Sequence, residues 1–134
     1  MKRLEEYLKC VNGLGGSAVG AVNGTAIDTK GYSEAMLVLA TGVAAATGTL
    51  DVKVQDSTDG STGWADVTGA AFAQLTASDD QALKVARLKL DGNGIKRYIR
   101  IVGTVGTATV DFACVVILGG DQYPPANTIA FTKP

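Results

Sequence analysis

The stretch Thr49-Leu50-Asp51-Val52-Lys53-Val54-Gln55 decides the fold class. Leu50, Val52 and Val54 share one parity, and Asp51, Lys53 and Gln55 share the other. Side chains alternate across a strand, so this is a half-buried β-strand with one wet face. Asp56-Ser57-Thr58-Asp59-Gly60-Ser61 follows, rich in residues that accept tight turns, and Trp64 to Thr68 supplies a returning strand.

Working outward, similar signals recur at short intervals. Glu34 to Thr41 carries Ala35-Met36-Leu37-Val38-Leu39-Ala40, an apolar run that predicts a strand buried on both faces. Leu83 to Leu90 changes parity, with Leu83 and Val85 on one side and Leu88 and Leu90 on the other, which predicts a bulge near Ala86. Asp91-Gly92-Asn93-Gly94 is a reversal signal, Arg97 to Gly103 reads as a strand, and Gly103 to Gly106 reads as a turn. From Ala108 to Leu118, the residues Val110, Phe112, Cys114, Val116 and Leu118 line one face. Seven or eight short strands without helix-length segments between them predict an all-β protein, an antiparallel β-sandwich of jelly-roll type.

Before this domain, residues 2–10 have Leu4, Tyr7 and Leu8 at helical spacing, and Gly13 to Gly24 is small and glycine-rich. The expected organisation is an N-terminal arm over 1–24 (short helix plus linker), a sandwich over 25–120 and an extended tail over 121–134. Tyr123-Pro124-Pro125 stiffens that tail, and Ile129 and Phe131 alternate within it. They can fold back on their own sandwich or add a strand to a neighbour's sheet. Removing residues 1–20 or 122–134 is accordingly expected to leave the sandwich folded.

Composition bounds the function. The 134 residues suit one domain. Charged residues are 19% of the chain, below the usual ~25%, while glycines number 17. That combination favours short strands and a surface that packs against neighbours. Twelve basic and thirteen acidic residues give a net charge of −1, which argues against nucleic-acid binding. No apolar run is long enough for a membrane-spanning helix. Met1 to Cys10 is charged throughout and lacks a secretory apolar centre, so synthesis in a cytoplasm is expected. The absence of histidine removes most general-base, triad and zinc chemistry, and no enzyme activity or cofactor is expected. Cys114 lies in an apolar run and Cys10 in the N-terminal segment. A reducing compartment disfavours a disulfide between them.

Four constellations bear on possible chemistry. Gly13 to Gly20 superficially resembles a phosphate loop but lacks a preceding strand, a following helix and a Gly-Lys-Ser/Thr ending. Gln55 to Asp66 places Gly60 at the sixth position of a calcium loop, yet Gln55 then occupies the first, where an acid is needed. The carboxylates Asp51, Asp56, Asp59, Asp66, Asp79, Asp80 and Asp111 fall in turns or on wet faces, as solvating charges do. In the basic group Lys96, Arg97 and Arg100, the two arginines lie among Tyr98, Ile99, Ile101 and Val102. That placement fits an intramolecular salt bridge or a subunit contact.

Three phrases carry a resemblance: Val22 to Tyr32, Leu50 to Ser61, and Lys96 to Thr104. The hairpin ending in Asp59-Gly60-Ser61 before Trp64, followed by Arg97-Tyr98-Ile99-Arg100, resembles small virion proteins of tailed phages. The likeness spans roughly residues 22–118. It departs at Gly63, which makes the hairpin one residue longer and bears on the register of the returning strand. The resemblance implies a capsid decoration or cement protein, a homotrimer on the capsid exterior whose partner is the major capsid protein. The hairpin is also similar to strands of discoidin-like carbohydrate-binding sandwiches, where a tryptophan of this kind is a core residue. The alternatives carried forward are another virion part, such as a tail-tube or head-completion subunit, and a carbohydrate-binding module. The candidate partner contacts are Leu4, Tyr7, Leu8, Arg97, Arg100, Tyr123, Ile129 and Phe131.

Overall fold

A computed structural model describes residues 8–120. Nine strands follow one another in this span: β1 (Leu8–Gly16), β2 (Gly20–Asn23), β3 (Ile27–Asp28), β4 (Glu34–Ala44), β5 (Thr49–Ser57), β6 (Ala65–Ala71), β7 (Leu83–Lys89), β8 (Tyr98–Gly106) and β9 (Val110–Gly119). A 3-10 turn over Ala77–Asp79 is the one helical element among the described residues. One sheet has the order β1-β9-β4-β7, and the other β2-β8-β5-β6 with β3 also paired to β8. Every pairing is antiparallel. Counting β2 and β3 as one interrupted strand, the two orders become those of an eight-stranded jelly roll, in which the chain repeatedly crosses between sheets.

The core lies between the sheets and follows the period-2 rule. Leu50, Val52 and Val54 of β5, Ile99, Ile101 and Val105 of β8, and Val110, Phe112, Cys114, Val116 and Leu118 of β9 are all buried. In β4 Ala35, Leu37, Leu39 and Thr41 are buried facing inward, while Met36, Val38 and Ala40 point away from the core. The strand expected to be buried on both faces is therefore buried on one. β7 holds continuous register with β4 from Glu34↔Lys89 to Ala40↔Leu83, without the expected bulge. Its parity switch arises because Ala86 and Leu88 pack on the core while Leu83 and Val85 point outward. β8 runs on through the expected Gly103–Gly106 turn. The chain reverses instead at Thr107, whose φ of 66° is in the left-handed region.

The largest departure concerns the expected arm. Residues 8–16, expected as the end of a helix and the start of a linker, form β1, an edge strand of the first sheet paired to β9 from Leu8↔Gly119 to Gly16↔Phe112. Residues 20–23 pair with β8 in the other sheet. The physical reason is close packing. Gly13 is the extra residue of a bulge between Asn12 and Leu14, where a Cβ would lie 2.8 Å from the Cys114 carbonyl oxygen. A Cβ on Gly24 would collide with the Gly13 carbonyl oxygen and lie 2.9 Å from that of Ile101, to which the Gly24 N–H donates at 2.7 Å. These two glycines let the sheets meet along the β1/β2 flank. Glycine richness here records crowding, where a linker reading takes it for freedom.

At the opposite flank, between β6 and β7, the sheets part. A cavity of about 320 Å³ opens there, lined by Leu37, Val54, Val67, Phe72, Leu88 and Ile95 among others. Buried polar groups are answered: the Asp56 carboxylate accepts from the Lys96 N–H at 3.0 Å, and the Thr41 hydroxyl donates to the Asp79 carbonyl at 2.6 Å. No buried side-chain nitrogen or oxygen among the described residues lacks a partner.

Candidate functional site

The two outer faces of the sandwich differ in chemistry. On the β8/β5/β6 face, the antiparallel register sets Arg100 opposite Gln55, and Gln55 opposite Asp66. Arg100 donates from Nε and Nη2 to the Gln55 amide oxygen at 2.9 and 2.7 Å. Gln55 passes an N–H to Asp66 at 2.8 Å, and Lys53 closes the other Asp66 oxygen at 2.9 Å. The Asp66 carboxyl is held below its usual range by these bonds, that from Gln55 foremost. The Arg100 guanidinium also stacks on the Trp64 ring, 4.5 Å from its centroid. This face is polar, wet and internally satisfied.

Arg97 sits just before β8 and grips Asp28 with two hydrogen bonds of 2.9 and 2.8 Å. Its guanidinium lies 5.0 Å from the Tyr98 ring centroid. Those bonds, with help from the Lys30 N–H, hold the Asp28 carboxyl down at about 2. Arg97 makes an intramolecular ion pair with Asp28, whereas Arg100 bonds the neutral Gln55 amide and stacks on Trp64.

The Gln55–Asp66 loop is a self-bonded turn. Asp59 Oδ1 accepts from the Ser61 and Thr62 N–H groups at 2.9 and 2.8 Å, and Oδ2 accepts from the Thr62 hydroxyl at 2.7 Å. These bonds keep the carboxyl far below its ordinary range. The buried Ser57 hydroxyl accepts from the Gly60 N–H at 3.2 Å and donates to the Thr62 carbonyl. Asp59 therefore spends its oxygens within its own loop. Among the described residues, no group of three or more Cys, Asp or Glu side chains could hold a metal ion.

The outer face of the β1-β9-β4-β7 sheet has the opposite character. Cross-strand register lines up three rows: Ile117, Met36 and Arg87; Val115, Val38 and Val85; and Ala113, Ala40 and Leu83. Eight of these nine side chains are apolar. Met36 and Val115 are 40% and 39% exposed, and Val85 and Leu83 are 57% and 64% exposed. Above the rows lie Lys89 and Glu34, the latter paired to Arg87 at 2.9 Å. Below them Asp111 stands beside Gly42, and Asp80 accepts from the Ala44 N–H at 2.7 Å. The result is an apolar band with a basic end and an acidic end. Contiguous exposed apolar surface of this kind makes the face the candidate interaction surface.

The sequence-derived contact residues fall unevenly. Leu8 is the first described residue, half-buried at the head of β1 and beside a groove lined by Met36, Val85 and Ile117. Leu4, Tyr7, Tyr123, Ile129 and Phe131 lie outside the described residues. The residues that build the apolar face were not among the sequence candidates. Their signal was present in the doubly apolar run of β4 and in the parity switch of β7.

Architecture and face together define a jelly-roll sandwich with one satisfied polar face and one unsatisfied apolar face. No protein-family description matches the sequence, and no curated protein matches it. Among solved structures, the crystal structure of the PBSX exported protein XepA is similar over 100% of this chain, with a TM-score of 0.60 and 13% identity. This chain spans 44% of that protein's length. At that identity the likeness is one of fold.

Proposed function

We propose that this chain is a non-enzymatic structural subunit of a tailed-phage virion, binding the outside of the capsid and stabilising it through subunit contacts. The observation that carries the reading is the apolar outer face of the β1-β9-β4-β7 sheet. Its four most exposed large side chains, Leu83, Val85, Met36 and Val115, cost free energy in water and gain it on burial, at about 25 cal/mol per Å² before ordering costs. The resemblance of residues 22–118 to small virion proteins supports the same reading. The fold likeness to an exported protein of phage PBSX is compatible with it. The partners in this reading are the major capsid protein and further copies of the chain.

A carbohydrate-binding module is disfavoured by one contact. Sugar-binding platforms need an open aromatic face, and one face of Trp64, the single tryptophan, is taken by Arg100. Another virion part, such as a tail-tube or head-completion subunit, stays the alternative and would form rings or tubes. The deciding experiment is a pelleting assay with undecorated capsids. Co-sedimentation saturating at a symmetry-related ratio is expected, and a protein left wholly in the supernatant would sink the capsid reading.

A further inference from the structure

We propose that the apolar outer face of the β1-β9-β4-β7 sheet is closed by the same face of a second copy of this chain, the two related by a two-fold axis running across the strands. The proposal rests on the reading of this face as an assembly surface and names a second copy as its occupant, which leaves contact with the capsid to the rest of the surface.

The first argument is charge. Lys89 stands at one end of the band, with Arg87 neutralised by Glu34 beside it. Asp111 stands beside Gly42 at the other end, where Asp80 accepts from the Ala44 N–H. A two-fold axis lying in the interface, across the strands, inverts the order of the rows. It sets the basic end of each copy over the acidic end of the other and keeps the apolar rows in register at the centre. An axis along the strands would instead place like ends together, which opposite-charge pairing disfavours. The same patch is thus complementary to itself, as a two-fold contact requires.

The second argument is size and shape. Four strands at ~4.8 Å and about nine residues at ~3.4 Å give a face of roughly 19 by 30 Å. In flat projection that is about 570 Å², and projecting side chains add to it, approaching the ~800 Å² each partner gives a standard interface. The central residues are small to medium (Ala40, Ala113, Val38, Val115), so two such sheets can approach to the ~10 Å spacing of a sandwich.

The test is molar mass by light scattering across a concentration series of the full chain. The expected mass is twice the 13.7 kDa of one chain. Val85→Glu and Leu83→Lys, both on the exposed edge strand, are expected to return it to a single chain, with an unchanged far-UV spectrum and cooperative melting confirming the fold. Lys89→Glu should weaken the pair, and adding Asp80→Lys and Asp111→Lys should restore it. A wild-type monomer overturns the proposal, as does a trimer, or a dimer indifferent to Val85→Glu and Leu83→Lys. Capsid pelleting is scored separately. A monomer that still decorates capsids removes the pair and leaves the virion role, whereas a face-dependent dimer that ignores capsids does the reverse.

Discussion

The Arg100 guanidinium lies over the indole of Trp64, 4.5 Å from the ring centroid, while the same group donates twice to Gln55. Trp64 precedes β6 and Arg100 belongs to β8, so the stack ties two strands separated in the sheet by β5. A double-mutant cycle of Arg100→Ala and Trp64→Ala, read by urea denaturation, is expected to give a coupling of about 0.5–1 kcal/mol. Arg100→Lys should keep the charge yet recover only part of it, because an ammonium cannot reproduce the planar fork.

Gly24→Ala tests the closed flank. The added methyl meets two backbone carbonyls, neither of which can swing aside as a side chain can. A loss of about 1–3 kcal/mol in stability is expected from such overpacking. Gly92→Ala, in an open turn with nothing near its Cβ position, carries only the backbone strain of its φ of 74° and serves as the comparison.

Removing residues 1–20 now has the opposite expectation from the one drawn from sequence. The deletion takes away β1, with buried Leu14 and the core-packed Val11, and bares the edge of β9. Loss of the cooperative thermal transition, or aggregation through the exposed edge, is expected in circular dichroism and turbidity.

The Asp28–Arg97 pair gives stability a pH dependence at the acid end. The Asp28 carboxyl sits at about 2, below its usual 3.8, chiefly because Arg97 donates to it. A depressed carboxyl contributes stability above its unfolded value and loses it as pH falls through the folded one. The contribution is therefore complete above about pH 4 and disappears toward pH 2. Asp28→Asn should flatten that part of the stability profile and leave the neutral region parallel to wild type. Both side chains are nearly half exposed, so added salt should shrink the difference.

The cysteines should differ sharply in reactivity. Cys114 is buried in β9, and burial pushes its thiol up to about 11, while Cys10 is exposed on β1. A small alkylating reagent at neutral pH should modify Cys10 in the folded Val85→Glu chain, whose outer face is open, and reach Cys114 only on unfolding, as mass spectrometry would count.

How much of this was legible in the sequence depended on whether an apolar side chain had a polar neighbour in register. β5 announces itself because Leu50, Val52 and Val54 alternate with Asp51, Lys53 and Gln55. β9 was readable in the same way from Phe112, Cys114 and Val116. β4 and β7 misled for one shared reason. Met36, Val38, Leu83 and Val85 are apolar yet point outward, and a sequence does not distinguish an apolar outer face from a second buried one. Glycines at 13 and 24 misled because crowding and flexibility select the same residue. The Arg97 and Asp28 pairing was out of reach, since 69 positions separate the partners.

The position of β9 between β1 and β4 bears on how the protein is made. While the ribosome is still extending the chain, the strand that joins the first and fourth strands has not emerged. The first sheet then has only the β4/β7 pair, with β1 unmoored. Native structure in that sheet must await strand nine, and closure of loops this long is slow. Until then the outward valines and leucines of β4 and β7 meet the crowded interior of the cell without the finished sheet around them. The same side chains that form the apolar outer face of the finished sheet leave a partly made chain exposed to aggregation.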